Sequence, residues 1–183
     1  IGSEPLGGVD RIPAGITPST PLQLNTTQWT DLIVSRMNTI DSVNLQVQSS
    51  YNSTTGIATI TATVIYTKPV STTQNLSIVI VEDSVIDAQE FPPHPIGAFV
   101  DGYDPEYLFT NICRGMVTSA PFGDAILGSM TSKEAGRLFR KTYTYSKASS
   151  ILRPERCRII AFVHNATGDD YHVMQSVQTR LVP

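Results

Sequence analysis

The stretch ATITATVIY, residues 58–66, decides the fold class of this chain. Apolar residues occupy every second position from Ala58 to Tyr66, and threonine occupies three of the four positions between them. Successive side chains of a β-strand point to opposite faces, so this alternation predicts a strand with one buried and one polar face. Residues 43–51 repeat the pattern, and the turn-forming run NSTTG at 52–56 predicts that the two strands form a hairpin.

Further strand candidates follow the hairpin, and no helical pattern separates them. Seven strands of this kind predict an all-β fold, an immunoglobulin-like antiparallel β-sandwich. Trp29, Leu32, Ile33 and Met37 share one helical face, which predicts one short helix before the sandwich, capped by Thr26 or Thr27. The five additional strand candidates are residues 76–82, 107–117, 138–145, 157–164 and 173–182.

The alternation within the strands also predicts which side chains form the core. Alternate side chains in each strand should point between the sheets. Phe162 should point to the opposite face, toward the helix at Trp29. The predicted core residues are Leu45, Val47, Ile60, Ala62, Ile78, Ile80, Ala161 and Val163.

The glycines and prolines of residues 1–24 suggest a tail or linker from an upstream domain, and we assign residues 25–183 to the β-sandwich domain. No apolar run approaches the roughly 20 residues needed to span a bilayer. The chain opens at Ile1 without a signal peptide, which carries no information on export.

Composition and motifs exclude several classes of function. A net charge of −3 argues against nucleic acid as a partner, because phosphates demand a basic footprint. Nucleophile-elbow, P-loop, dinucleotide and zinc-protease patterns are absent, so we expect no enzyme activity and no cofactor. His164 and His172 could face each other across the final turn, but no third ligand accompanies them, and we predict no metal site.

The charges are segregated along the chain. No Lys or Arg lies between Lys68 and Arg114, whereas basic residues from Lys133 to Arg158 suggest a basic sheet face. The acidic interval contains a connection far longer than usual, and such loops are often functional. Its carboxylates could attract a basic partner, or more weakly a calcium ion at 101–106, although the EF-hand spacing is absent. The candidate binding residues are Glu82, Asp83, Asp87, Glu90, Asp101, Tyr103, Asp104 and Glu106.

Several short motifs resemble the twenty-eight-kilodalton outer-membrane protein family of Gram-negative anaerobes. The most specific is the run CRIIAFVHN at 157–165, which is similar to a Cys-Lys-Val-Val-Ala-Phe-Val-Tyr-Asn segment of that family. The resemblance extends from Trp29 to the end of the chain. Other residues that match the family are the VED run at 81–83 with Gln89, then Tyr107 and Arg114, and the VMQ run at 173–175. Phe122-Gly123 stands in place of the family's Trp-Gly.

The resemblance implies an exported envelope protein of the outer membrane, held to the membrane by a lipid anchor outside this fragment. It also implies an upstream thioredoxin-like domain, because residues 7–11 resemble the end of such a domain. We therefore expect a non-catalytic adhesion-type module that recognises a protein or a glycan at the cell surface. Alternatives are a structural partner of the upstream redox domain, or a carbohydrate-binding module that stacks sugars on Tyr103, Tyr107, Tyr143 or Tyr145.

The two cysteines are predicted to be unbonded. Cys113 stands where the family usually has leucine, which implies a buried thiol, and no second cysteine belongs to the family pattern. The exported location would nevertheless permit a bridge to Cys157.

Overall fold

The structure, a computed structural model, describes residues 8–12, 26–90, 102–128, 130–147, 151, 153–168 and 170–183. Within them no helix is long and apolar enough to cross a membrane. A short 3-10 helix covers Pro154–Arg156. The other elements are α1 (Thr26–Met37), β1 (Val43–Asn52), β2 (Ile57–Tyr66), β3 (Gln74–Glu82), β4 (Val85–Glu90), β5 (Tyr103–Phe109), β6 (Ile112–Met116), β7 (Asp124–Ala125), β8 (Leu138–Ser146), β9 (Cys157–Asn165) and β10 (Val173–Arg180).

Two antiparallel sheets form the sandwich, as predicted. One contains β1, β2 and β8 in the order β1-β2-β8, and the other has the order β10-β9-β3-β6 with β7 beside β3. The predicted number of seven strands was too low, because β4 and β5 form an additional two-stranded sheet and β7 is a short extra strand. The long connection expected in the acidic interval therefore contains a strand and the start of another. The single strand expected at 107–117 is divided at Asn111, where φ is +56°.

The β1–β2 hairpin forms where the sequence predicts it. Its turn is closed by a hydrogen bond from the Gly56 amide to the Asn52 carbonyl oxygen, at 2.8 Å. The Asn52 side-chain oxygen accepts the amide hydrogens of Thr54 and Thr55. Gly56 has a φ of +67°, a conformation that glycine adopts without steric cost.

The core lies between the sheets and confirms the predicted parity. Seven of the eight predicted residues are buried, and Val47 is half-buried against the same cluster. Phe162 lies on the opposite face of β9, and the group above its ring is the Arg11 guanidinium, 5.0 Å from the centroid. The expected contact of Phe162 with Trp29 stays a prediction.

The first and last strands run side by side in the same direction and join the two sheets along one border. At one end, the Gln175 amide donates to the Asp41 carboxylate at 2.9 Å. At the other end, the Ser49 hydroxyl donates to the Arg180 carbonyl oxygen at 2.7 Å. We call this border the β1–β10 seam.

Residues 8–12 pack on the start of β10 and on α1. The Val173 amide donates to the Asp10 carbonyl oxygen at 2.9 Å, and Asp10 pairs with Arg36 at 2.8 Å. The predicted apolar face of α1 is only partly covered, since Ile33 and Met37 remain exposed. Arg36 anchors the end of the helix, since it also donates to the Val173 carbonyl oxygen at 3.1 Å.

Both cysteines are free, which confirms the predicted absence of a bridge. The expectation that Cys113 is buried was wrong. Strand β6 lies at a sheet edge, and its register places Cys113 opposite Val81 on the outer face, where the thiol is exposed. Cys157 is the buried thiol, at the end of the core.

Candidate functional site: a projecting hairpin and its root

Strands β4 and β5 continue the β3–β6 pair beyond a bend. β3 leads into β4 through Asp83 and Ser84, and β5 leads into β6 through Thr110 and Asn111. Ser84 and Asn111 both have positive φ values, +58° and +56°, in a region that few residues other than glycine adopt. Between the flanking pairs Glu82–Ile112 and Val85–Phe109, each of the two adjacent segments thus has one left-handed residue. We call this bend the root of the hairpin.

Asp83 fixes the root through both of its carboxylate oxygens. One accepts the Asn111 amide hydrogen at 2.8 Å, and the other pairs with Arg158 at 2.7 Å. Arg158 also donates to the Asn111 side-chain oxygen at 2.6 Å. The three side chains thus connect β9 to both halves of the bend.

Glu82 supports the root from inside the sandwich. Its carboxylate is buried, pairs with Arg114 at 2.8 Å and accepts the Arg153 amide hydrogen at 2.7 Å. The Arg153 guanidinium donates in turn to the Ser84 carbonyl oxygen. Glu82 is the last residue of β3 and a candidate binding residue. Its carboxylate is thus engaged in contacts within the domain.

Beyond the root, the hairpin exposes an apolar face. Ile86 and Leu108 are paired directly across the two strands and are 63% and 53% exposed. The register pairs Tyr103, 50% exposed, with Glu90 on the same side of β4 as Ile86. We call Ile86, Leu108 and Tyr103 the hairpin face. The two strands pack mainly against each other and form a sheet of their own, which explains why this face stays uncovered.

The opposite side of the hairpin is turned toward the protein. Val85 is buried there, and the rings of Tyr107 and Phe109 meet edge to face with centroids 4.7 Å apart. The ring contact lies within β5, and the ladder pairs Val85 of β4 with Phe109 on this side of the hairpin.

Carboxylates lie on both sides of the hairpin, since Glu90 pairs with Tyr103 on the side of the hairpin face and Asp87 pairs with Tyr107 on the opposite side. Asp87, Glu90 and Glu106 are exposed, and Asp104 is half-buried and accepts the Glu106 amide hydrogen at 2.9 Å. The candidate residue Asp101 lies outside the described residues. Within the part of the chain that the structure describes, no three His, Cys, Asp or Glu side chains are placed to hold a metal ion together.

The tyrosines proposed for sugar stacking separate into two groups. Tyr143 is buried, and Tyr145 is half-buried against the core cluster. Of the four, Tyr103 is exposed and Tyr107 is half-buried. A row of stacking platforms is therefore not formed by these residues.

The basic residues after Arg114 do not form one surface. Lys133 is fully buried, and its ammonium donates to the Thr72 carbonyl oxygen at 2.8 Å and to the Gln74 side-chain oxygen at 2.9 Å. Tyr66 donates to the same Gln74 oxygen at 3.0 Å. Burial lowers the pKa of Lys133 and raises that of Tyr66 to about 12. Lys133 thus belongs to an internal polar network, which its charge alone did not predict.

A serine–histidine pair lies on the outer side of β3 and β9. The Ser77 hydroxyl and His164 Nε2 are 3.2 Å apart, and His164 Nδ1 lies 2.8 Å from the Asn165 carbonyl oxygen. Both side chains are fully buried beneath Gly123, where an added Cβ would lie 2.6 Å from the Ser77 hydroxyl. The pair is closed to a substrate and fixes the loop that carries Gly123.

The β-sandwich, the rigid root and the uncovered hairpin face together define a protein that displays a surface element on a stable scaffold. The chain belongs to the outer membrane protein Omp28 family, whose model matches residues 4–182. This membership confirms the resemblance found in the sequence and places the protein at the outer membrane of the cell envelope.

One solved structure, HBP35 of Porphyromonas gingivalis, has a similar fold. The TM-score is 0.55 at 14% sequence identity, and the match covers 83% of this chain and 45% of that chain. This chain therefore spans less than half the length of HBP35, and the likeness concerns the fold alone. No curated protein matches the chain.

Proposed function

We propose that this domain is a non-catalytic recognition module of the cell envelope, and that the hairpin face binds a protein partner. The observation that carries the proposal is the pair of large apolar side chains, Ile86 and Leu108, held in water on a hairpin with a rigid root. Exposed apolar side chains surrounded by polar groups are typical of protein interaction sites.

The charges indicate the chemistry of the partner. The interval from 69 to 113 has no Lys or Arg, and Asp87, Glu90, Asp104 and Glu106 make the hairpin itself acidic. A partner with basic residues around an apolar pocket would complement this surface and would be guided to it by long-range attraction. Protein is favoured over glycan, because Tyr143 and Tyr145 belong to the core and leave few aromatic platforms.

Site-specific photo-crosslinking in cells that produce the intact protein tests this proposal. A photoreactive amino acid at Leu108 should give a covalent adduct with a partner, whereas the same residue at Leu138 should give none. Leu138 is a matched control, since it is also 53% exposed but lies on the other sheet. Adducts of equal yield at both positions would contradict the proposal.

Substitution gives a second test on the partner recovered in this way. Leu108→Ser should weaken binding by about tenfold or more, because central apolar anchors contribute most of the binding free energy. Leu138→Ser should leave binding unchanged. Binding should also weaken as salt concentration rises, because salt screens charges at the surface.

A further inference from the structure

We propose that a cavity at the root of the hairpin binds a phosphate-class oxyanion. The cavity has a volume of about 350 Å³ and is lined by Arg156, Arg158 and Arg180 with two carboxylates, Asp83 and Glu155. This size lies at the lower end of the range for small-molecule sites. The site is separate from the hairpin face, and the proposal does not depend on the recognition function.

The register places two of the arginines side by side. Arg158 and Arg180 are direct partners on β9 and β10, so their side chains leave the same face of the sheet. Like charges in this position repel each other and destabilise the strand pair. Asp83 compensates Arg158 at 2.7 Å, and no ion pair within the described part of the chain compensates Arg180.

Two guanidinium groups at the cavity are free to bind an anion. Among the described residues, neither Arg156 nor Arg180 has a carboxylate within ion-pair distance. Arg158 is held in place by Asp83, Asn111 and Gln178, and its Nε is buried without a hydrogen-bond partner in the same part of the chain. One guanidinium is therefore fixed in position, and the other two can approach a ligand.

The chemistry of arginine selects the ligand class. The planar guanidinium donates two parallel hydrogen bonds, a geometry that matches phosphate oxygens. A doubly charged phosphate group compensates both Arg156 and Arg180, whereas a single carboxylate compensates one. Glu155 also lines the cavity. Its negative charge repels an anion, so an anion that contacts only one arginine is disfavoured.

Titration of the intact chain with inorganic phosphate tests the proposal, with NMR shifts of the β9 and β10 amides as the readout and chloride keeping ionic strength constant. Phosphate should bind saturably to the wild type. Affinity should fall by about tenfold or more in Arg180→Gln and in Arg156→Gln. Arg140→Gln on β8 removes the same charge from an exposed position on the other sheet and should leave affinity unchanged.

Thermal unfolding provides an independent measurement. Phosphate should raise the Tm of the wild type but not that of Arg180→Gln, because a ligand stabilises only the form that binds it. The proposal is overturned if phosphate shows no saturable shift, or if Arg140→Gln loses as much affinity as Arg180→Gln.

Vesicles distinguish a lipid headgroup from a soluble phosphate. The probes are phosphatidylcholine vesicles with and without phosphatidic acid. Sedimentation of the wild type but not of Arg180→Gln with the phosphatidic acid vesicles identifies a lipid phosphate. Phosphate binding without sedimentation identifies a soluble phosphate compound as the ligand.

Discussion

At the scale of single residues, His164 makes stability depend on pH. Burial lowers its pKa below the ordinary value of 6.5, and the nearby Arg11 charge acts in the same direction. The unfolded chain therefore binds a proton that the folded chain refuses, so stability should be full above about pH 6.5 and should fall as pH decreases below it.

The variant His164→Gln checks this origin. Its Tm should fall less than the wild-type Tm between pH 7.5 and pH 5, because the variant lacks the buried group that must be protonated. The other two histidines are present in both proteins and cancel in the comparison. Equal decreases in Tm would show that His164 is not responsible.

The two thiols should differ sharply in reactivity. Cys113 is exposed, whereas Cys157 is buried and its pKa is raised to about 11, by burial first and by the Glu82 charge second. Only the thiolate reacts with a maleimide at an appreciable rate. Mass spectrometry of the native protein should show one label, at Cys113, and a second label should appear only after unfolding in urea.

At the scale of structural elements, the root of the hairpin depends on Glu82. Glu82→Ala leaves the Arg114 charge, whose side chain is only 15% exposed, without its partner, which should reduce the free energy of unfolding by roughly 3 kcal/mol. Urea unfolding measures this loss. Glu134→Ala is the control, because the Glu134–Arg137 pair is exposed and its loss should leave the urea midpoint unchanged.

The elements differ in how far the sequence predicts them. The sequence predicts strand β2 directly, because one of its faces is buried and the other is exposed or half-buried along its whole length. Strand β4 has no such alternation, because only Val85 is buried and the rest of the strand packs on β5 alone. Pro105 also suggests a loop, but the register of β5 is irregular at that point and accommodates it.

The sequence predicts which segment contains the candidate site, but it does not predict which side chains contact each other there. The acidic interval and its aromatic residues indicated a binding surface. The separate role of Glu82 and Asp83 could not be foreseen, because their partners Arg114 and Arg158 lie far away in the sequence and meet them only through sheet pairing. The cavity with Arg180 depends on the β9–β10 register in the same way.

At the scale of the whole molecule, the two sheets share one core, and a change on either side should weaken the entire domain. Ile60 in one sheet and Ile78 in the other are both fully buried. Ile60→Ala or Ile78→Ala should each reduce the free energy of unfolding by roughly 2 to 5 kcal/mol.

Circular dichroism and tryptophan fluorescence of Trp29 should follow the same urea transition in these variants if the domain unfolds as one unit. A separate early transition for the strands would contradict a shared core. Ile86→Ala serves as the comparison, because this isoleucine is exposed on the hairpin face and its loss should cost little.

The β1–β10 seam also determines how the domain responds to mechanical load. The chain enters β1 at one end of the seam and leaves β10 at the other, and both strands run in the same direction. Tension between the two ends of the domain therefore pulls these strands past each other along their axes. Because β1 and β10 belong to different sheets, such shear loads the Gln175–Asp41 and Ser49–Arg180 hydrogen bonds at the two ends of the seam together. Tension on the domain therefore acts first on the border between the two sheets.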